Sequence, residues 1–402
     1  MTKPKILVLL GCYLPGFRSG GPVRTISAMV EALAPHFDVR IITLNHDSGS
    51  SDIYDSVRTG AWNQVGSAQV YYIPRWSLSA VRALARETAP DIIYMNGFFA
   101  TSSIYGLVAR RLGLLPKVPV VLATRGDLAL GALGLKAPKK RLFKQAAKLL
   151  GLYRGLRWHA SSDLERSEML AQVAAFGVRD SDIGVAPDLG FGYGSGRNVR
   201  PEKKPGEVRF VTLGRITRMK NLPFALERMA ELKGIVSFDI FGPNEDKELW
   251  SECEKRISRL PGNVEVRYHG AIDPADVLGA MSERHFFVLP TLGENYGHVI
   301  IEAAASGCPV VISDRTQWSS LDAERAGWDI PLEKPAEWNA VLQRCVEMDG
   351  DEYRLMSERA EAFGNLVMNS RANVEANIQL FRSVLTGGAH ERKEAASVEV
   401  LR

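Results

Sequence analysis

The sequence predicts an α/β protein with two doubly wound, mainly parallel-sheet domains. Three observations lead to this fold class. Strand and helix patterns alternate almost throughout, and 402 residues exceed the roughly 100–200 residues of one ordinary domain. A Gly- and Pro-rich polar stretch at 190–206 also interrupts the pattern and is predicted as a linker. We therefore expect one domain at 1–189 and another at 207–370.

The first domain begins with a short apolar strand and continues as alternating strands and helices. Strands are predicted at Lys5–Leu10, Asp38–Leu44, Gln69–Ile73, Asp91–Met95, Val118–Ala123, Trp158–Ala160 and Ile183–Ala186. Helices between them include Thr25–Ala34, Ser102–Leu112 and Leu164–Ala175.

The second domain restarts the same rhythm. Its strands are predicted at Val208–Leu213, Val236–Phe241, Val264–His269, His285–Leu289, Pro309–Ser313 and near Trp328–Leu332. Its helices include Leu222–Leu232, Lys247–Leu260, Ala336–Glu347 and Tyr353–Val367. A last helix is predicted at 371–386, and the polar tail at 387–402 is predicted to be disordered. Two such domains facing each other are expected to leave a deep ligand-binding cleft.

Bulk composition narrows the class of protein. A formal net charge of +4 is too small to indicate nucleic-acid binding. The four cysteines have neither disulfide-framework nor metal-ligand spacing, which favours a reducing compartment. Lys5–Leu10 is too short for a signal-peptide core, and no apolar run reaches the length of about 18 residues that a membrane span needs. We expect a cytoplasmic protein, either free or peripheral on the inner face of the membrane.

Glu294 and Glu302, eight positions apart, are the most informative pair in the chain. They lie where a buried strand, a loop and a short helix follow one another, so the helix N-terminus faces the ligand side of the sheet. Two carboxylates flanking exposed N–H groups suit a nucleotide sugar, which has a diol at each end and a diphosphate between. The alternative is an ordinary pair of solvent-facing acids. Contacts to the donor are also predicted for the neighbours Asn295, Tyr296, Gly297 and His298.

A second constellation follows the first strand of the second domain. Gly214 permits close backbone approach to a ligand, and Arg215 and Lys220 add a guanidinium and an ammonium. Cations at this edge would stabilise the charge that grows on a departing nucleoside diphosphate. No Asp-x-Asp motif follows a strand, so we expect no metal or other cofactor. The alternative is a solvated basic loop.

Two further groups lie in the first domain. Gly20 and Gly21 precede a helix, an arrangement typical of phosphate-approach loops, and are candidate donor contacts, although a plain tight turn fits as well. Arg18 and Arg24 flank them and are candidate acceptor contacts.

Arg125 and Asp127 follow a buried strand. Either they contact sugar or acceptor hydroxyls, or they pair with each other and brace the loop.

The segment Lys136–Arg157 combines basic and apolar residues and contains no acid. Leucines and Phe143 interleave with the cations, a pattern that favours either contact with an anionic membrane surface or a solvated helix face. Its basic residues are Lys136, Lys139, Lys140, Arg141, Lys144, Lys148, Arg154 and Arg157.

With these motifs, the chain resembles the retaining glycosyltransferases of family 4, which have the GT-B fold of two Rossmann-like domains. Glu294 and Glu302 with Gly307-Cys-Pro-Val-Val match the family's E-x7-E signature, and the resemblance covers nearly the whole chain. It implies that Glu294 contacts the donor sugar and Glu302 the ribose. It also implies that Arg215 and Lys220 hold the diphosphate, and that the last helix returns to the first domain.

One position departs from the family pattern. Many members have a His at the strand end where this chain has Arg125. The segment here resembles a subset that assembles bacterial surface polysaccharides and carries Arg-Gly at this position. The exact catalytic contact there stays open, and Arg125 is a candidate for it.

The resemblance implies metal-independent transfer of a sugar from a nucleoside-diphosphate sugar to a hydroxyl of a saccharide or polyprenyl-linked saccharide, with retention. It leaves the sugar, base and acceptor open. A nucleotide-sugar epimerase of similar fold and a non-catalytic nucleotide-sugar-binding protein are the alternatives.

Overall fold

The computed structural model describes residues 2–129, 133, 137–190 and 200–399. It divides into two compact units, one formed by Met1–Phe191 with Arg371–Arg402 and the other by Gly192–Ser370. Most of the predicted linker lies at 191–199, outside the described residues. Residues 200–206 are bound to the C-terminal unit, because Arg200 Nε donates to Ser357 Oγ at 3.0 Å and Lys203 Nζ donates to the carbonyl of Met348 at 2.7 Å.

The N-terminal unit contains an eight-stranded sheet. Its strands are β1 (Lys5–Leu9), β2 (Asp38–Leu44), β3 (Trp62–Val65), β4 (Ala68–Ile73), β5 (Ile92–Asn96), β6 (Val120–Ala123), β7 (Arg157–Ala160) and β8 (Ile183–Val185). They pair in the order β3-β4-β2-β1-β5-β6-β7-β8, and only β3 runs antiparallel to its neighbour. The parallel strands are apolar runs because helices cover both faces of such a sheet. The edge strand β3 is largely half-buried and carries no such run, so the sequence did not predict it.

Helices of the N-terminal unit fall mostly where the periodicity predicts them. They are α1 (Gly21–Leu33), α2 (Leu78–Thr88), α3 (Thr101–Arg111), α4 (Ala137–Leu149) and α5 (Asp163–Val173). Ser77 caps α2 and Ser162 caps α5, each by accepting a hydrogen bond from the third residue beyond it.

The C-terminal unit contains a six-stranded sheet in which every pairing is parallel. Its strands are β9 (Glu207–Leu213), β10 (Ile235–Phe241), β11 (Val264–Gly270), β12 (Phe286–Leu289), β13 (Val310–Ser313) and β14 (Gly327–Ile330), in the order β11-β10-β9-β12-β13-β14. Its helices are α6 (Leu222–Met229), α7 (Lys247–Ile257), α8 (Val277–Ser282), α9 (His298–Ala305), α10 (Pro335–Glu347) and α11 (Gly350–Met368).

Each sheet reverses its winding direction once, and the loops predicted to carry the site lie at these two reversals. The reversal lies between β1 and β5 in the first sheet and between β9 and β12 in the second. Loops that leave the carboxyl ends of strands on either side of a reversal diverge and open a crevice. The predicted glycine loop follows β1, Arg215 follows β9 and Glu294 follows β12. Each therefore lies at a reversal within its own unit.

The last helix, α12 (Arg371–Glu399), belongs to the N-terminal unit, as the resemblance predicts. Ile378, Phe381 and Val384 are buried in one apolar cluster with strands β1 and β5. The helix extends through Glu399, whereas the sequence predicted a disordered tail from 387. The polar composition of the tail led to that expectation, but its residues are mainly Ala, Glu, Lys and Arg, which favour helix. Across the described residues, no helix has the length and apolarity needed to cross a bilayer.

Candidate active site

The loop after β9 is held backbone to backbone against the loop after β10. Gly214 N–H donates to the Phe241 carbonyl at 3.0 Å, and Ile216 N–H donates to the Pro243 carbonyl at 2.9 Å. Gly242 has φ 134°, and a Cβ there would lie 2.0 Å from the Gly214 oxygen. Only glycine allows this approach, which fixes the direction in which Arg215 leaves the sheet.

Arg215 lies at the edge of this loop and is half-exposed. Its Nη1 lies 3.2 Å from a carboxylate oxygen of Glu245, which follows β10. Such an exposed pair contributes little to stability. The guanidinium is therefore available to an anionic ligand at small energetic cost.

Lys220 reaches the same place from the end of a short 3₁₀ turn. Its side chain lies across Gly214, where a Cβ would be 3.2 Å from Lys220 Cε. Its ammonium forms an ion pair with Glu294, and about one fifth of each side chain is exposed. The structure thus brings together the two motifs that the sequence suggested separately.

The loop after β12 is braced on both sides of Glu294. Leu292 N–H donates to the Met219 carbonyl at 2.8 Å, and Thr291 Oγ1 donates to the same oxygen at 3.0 Å. Glu294 N–H donates to the Arg315 carbonyl at 3.0 Å. The loop therefore holds Glu294 in place against the segment that carries Lys220.

An open surface pocket lies beneath these cations. Its walls combine the end of β9 with apolar side chains from α6 and the neighbouring strands. The lining residues are Thr212, Leu213, Gly214, Arg215, Ile216, Lys220, Leu222, Ala225, Ile240, Leu289 and Pro290.

Helix α9 begins next to Glu294. Gly297 is its N-cap with φ 74°, and a Cβ there would lie 2.8 Å from Ile300 Cδ1 and 3.0 Å from Glu294 Cγ. The Tyr296 ring packs against His298 and Trp318, and Trp318 Nε1 donates to the Tyr296 carbonyl at 2.6 Å.

The predicted donor-contact residues differ in exposure. Tyr296, His298 and Glu302 are buried, with Glu302 only 3% exposed. Glu294 and Asn295 are partly exposed. The ribose contact proposed for Glu302 stays a prediction.

The glycine loop of the N-terminal unit is held by a carboxylate. Asp47, which follows β2, accepts hydrogen bonds at one oxygen from Phe17 N–H at 2.9 Å and Arg18 N–H at 3.0 Å. Gly20 is the N-cap of α1 and makes no side-chain cap. Gly21 begins the helix and is partly exposed, Arg18 is exposed, and Arg24 is half-buried.

Arg125 occupies the turn after β6 with φ 54°, but its side chain points into the domain. It forms an ion pair with Asp188, and the side chain is only 7% exposed. The alternative of an Arg125–Asp127 brace is wrong. Asp127 instead accepts a hydrogen bond from Phe99 N–H at 3.2 Å, and burial raises the pKa of its carboxyl.

Sequence reasoning missed three carboxylates that organise these loops: Asp47, Asp188 and Glu245. Each lies within a few residues of the carboxyl end of a strand, at β2, β8 and β10 respectively. A systematic search of those strand ends would have found them. Among the described residues, no group of three or more His, Cys, Asp or Glu is placed to hold a metal ion.

Two family profiles match the sequence. The profile of glycosyl transferases group 1 matches residues 207–348, and the profile of the glycosyl transferase 4-like domain matches residues 20–185. The chain is a group 1 glycosyltransferase. The matches lie on the two sheets that carry the candidate site loops.

Solved structures show that this glycosyltransferase has the GT-B fold. Sucrose-phosphate synthase from Thermosynechococcus elongatus matches with a TM-score of 0.69 at 17% identity, over 96% of this chain and 100% of that one. Anabaena HepE, in complex with UDP and glucose, matches with a TM-score of 0.65 at 17% identity, over 95% and 100%. WaaG, a glycosyltransferase involved in lipopolysaccharide biosynthesis, matches with a TM-score of 0.66 at 13% identity, over 93% and 99%. No curated protein matches the sequence significantly.

Proposed function

We propose that this glycosyltransferase moves a sugar from a nucleoside-diphosphate sugar to a hydroxyl of a saccharide or lipid-linked saccharide, with retention of anomeric configuration. The observation that carries the proposal is the Lys220–Glu294 ion pair at the pocket, with Arg215 beside it. HepE, which shares the fold, has structures with UDP and with UDP-glucose, and this supports a nucleotide-sugar donor.

The two cations would act on the leaving group. As the bond to the sugar breaks, negative charge grows on the diphosphate, and Arg215 and Lys220 are placed to neutralise it. The donor diphosphate would take over the charge of Lys220. Glu294 would then be released to accept hydrogen bonds from the hydroxyls of the transferred sugar, which orients it for attack.

The donor site would extend along α9. We propose that Gly214 and Gly297 allow close backbone approach to the donor and that Asn295 contacts it. Tyr296 and His298 would shape the wall of the site, and the buried Glu302 would bind the ribose.

The N-terminal loops are proposed to bind the acceptor. Arg18 is exposed beside the glycine loop, where it would contact an acceptor phosphate or hydroxyl, while Gly20 and Gly21 remain candidate donor contacts. Arg24 and Asp127 are proposed to complete this site. A role in bacterial polysaccharide or lipopolysaccharide assembly is supported by the likeness to WaaG.

Membrane contact through α4 is a further part of the proposal. Leu142 and Leu149 are 69% and 89% exposed and lie on one helical face with the exposed cations Arg141 and Lys148. We call these four residues the basic leucine face. Apolar side chains interspersed with cations fit the anionic inner surface of a membrane, where a lipid-linked acceptor would be held.

A donor panel tests the proposed function. Purified protein is screened against nucleotide sugars for thermal stabilisation and for slow hydrolysis or transfer, since a specific ligand raises apparent stability by mass action. Arg215→Ala should lower donor affinity about tenfold or more, because it removes a charge-assisted contact.

The matched control is Arg267→Ala, which removes an arginine of similar exposure that is paired with Glu265 outside the pocket. Net epimerisation of the donor without transfer, or full activity of Arg215→Ala, would contradict the proposal.

A further inference from the structure

We propose that Arg125 is a positioning residue, which holds the acceptor-side loops of the N-terminal unit in place and does not itself touch the substrate. Its three guanidinium nitrogens bind three different partners inside the unit. Nε donates to Asn96 Oδ1 at 3.1 Å, Nη2 donates to the Tyr94 hydroxyl at 2.7 Å, and Nη1 pairs with Asp188. A guanidinium bound in this way would have to break buried contacts before it could reach a sugar.

The hydrogen-bond directions in this network are fixed by a histidine. His159 Nε2 lies 2.7 Å from the Ala186 carbonyl, which can only accept, so Nε2 carries the proton. Burial lowers the pKa of His159 to about 4, so the ring is neutral and Nδ1 accepts from the Tyr94 hydroxyl at 2.6 Å. The Tyr94 oxygen is then oriented to accept from Arg125. The network thus pairs the buried cation Arg125 directly with the carboxylate of Asp188.

Asp188 connects this charge to the glycine loop. Its second carboxylate oxygen accepts a hydrogen bond from Thr25 Oγ1 at 3.1 Å. Thr25 is the fifth residue of α1, the helix that begins at Gly21. Arg125, through Asp188, therefore fixes the start of α1 relative to the end of β6.

The turn that carries Arg125 is held from its other side. Glu165 of α5 accepts from Gly126 N–H and from Thr124 Oγ1, both at 2.8 Å. With the side chain of Arg125 fixed inside and the backbone fixed by Glu165, the turn has little freedom. Its exposed surface would meet the acceptor in a fixed position.

The last helix supports the same network. The Phe381 ring contacts the Tyr94 ring with centroids 5.2 Å apart, and Asn377 Nδ2 donates to the Pro187 carbonyl at 2.8 Å, next to Asp188. Five elements therefore meet at Arg125 or at its direct partners: β5, β6, β7, α1 and α12.

This inference rests on the proposed function, because it assigns the positioned loops to the acceptor. Its central variant is Thr25→Val, which has nearly the same shape as threonine but lacks the hydroxyl that donates a hydrogen bond to Asp188. Thr25→Ser keeps the hydroxyl and is the matched control. Arg125→Lys keeps the charge and loses the planar fork.

We expect Thr25→Val and Arg125→Lys each to lower kcat/KM for the acceptor about tenfold, the typical effect of one hydrogen bond to a charged group. Donor dissociation constants, measured by calorimetry, should stay within about twofold, because the charged donor contacts Arg215, Lys220 and Glu294 lie in the other unit. Thr25→Ser should keep the acceptor kinetics of the wild-type protein. The double variant should lose little more than either single variant, since both changes break the same connection.

Wild-type behaviour of both variants would overturn the inference, and so would two other results. One is a normal acceptor KM and kcat in Thr25→Val together with a large loss in Arg125→Lys, which would indicate direct substrate contact by Arg125. The other is weaker donor binding in Thr25→Val, measured as a larger donor dissociation constant. If the wild-type protein transfers no sugar from any donor, the proposed function fails; if it does and these variants behave like it, only the inference fails.

Discussion

The ammonium of Lys220 and the carboxylate of Glu294 form an ion pair although 74 positions separate them in the sequence. The pair exists because β9 and β12 are adjacent strands at the point where the second sheet reverses its winding. Each side chain follows the carboxyl end of its own strand, so the two opposite charges lie at the same edge of the sheet. This pairing links the diphosphate-binding and sugar-binding roles that we propose for the two residues.

The first prediction concerns this pair. Lys220→Ala and Glu294→Gln should each lower kcat/KM about 100-fold or more, because each removes a group that stabilises the transition state. The two effects should be strongly non-additive in a double-mutant cycle, since the residues interact directly. Steady-state kinetics on the four proteins would measure this, and fully additive losses would argue against a shared role.

The second prediction concerns the glycine beneath Lys220. In Gly214→Ala the new methyl group would lie 3.2 Å from Lys220 Cε, so the lysine side chain must shift by a few tenths of an ångström relative to Glu294. We expect donor affinity to fall about tenfold with a melting temperature close to that of the wild type. Gly262→Ala is the control, because a Cβ there meets nothing within 4 Å. Equal donor affinity in both variants would refute the assigned position of Lys220.

The third prediction concerns pH. Burial lowers the pKa of His159 from 6.5 to about 4, so below pH 6.5 the unfolded chain binds a proton that the folded domain rejects. Stability should be full above pH 6.5 and should fall as the pH drops toward 4, by about 3 kcal/mol from this group. Burial lowers the pKa of His285 similarly in the other domain.

Denaturant unfolding of each domain at pH 7 and at pH 5 measures the effect. His159→Gln should flatten the pH dependence of the N-terminal domain, and His285→Gln should flatten that of the C-terminal domain. An unchanged slope in both variants would show that other groups cause the acid sensitivity.

The fourth prediction concerns the basic leucine face. Arg141→Glu with Lys148→Glu should weaken binding to vesicles that contain anionic phosphatidylglycerol by about 30-fold or more, at about 1 kcal/mol per cation lost near the surface. Lys247→Glu with Lys255→Glu on α7, also exposed, is the charge-matched control. Flotation with anionic and with neutral vesicles measures both. Vesicle binding that changes with neither the salt concentration nor these substitutions would exclude an electrostatic membrane contact.

Much of the fold follows from local sequence patterns. The buried parallel strands β1, β5, β12 and β13 are continuous apolar runs, and the structure confirms them to within one or two residues. The short helix α8 and the half-buried strand β3 lack a strong period and were missed. The end of α12 was placed too early because the polar composition of the tail was taken to indicate disorder, although the tail is rich in helix formers.

The site was less accessible to prediction, because strand order decides which loop ends meet. The sequence identifies Arg125 as a polar residue at a strand end, but it does not show whether the side chain points outward or into the domain. Its partner Asp188 lies 63 positions away, beyond β7 and β8. Only the order of the strands brings these two charges together, whereas Asp127, two positions away, turns to the Phe99 backbone.

The placement of α12 affects how the protein is made. The strands of the N-terminal unit are translated before the second domain, yet the core around Tyr94 is closed by Phe381, which is translated after that domain. The N-terminal domain is therefore completed only after the second domain has been translated, and its apolar surface stays exposed until then. A nascent chain of this kind is expected to depend on chaperones, and the N-terminal half expressed alone should aggregate unless residues 371–387 are supplied as a separate fragment.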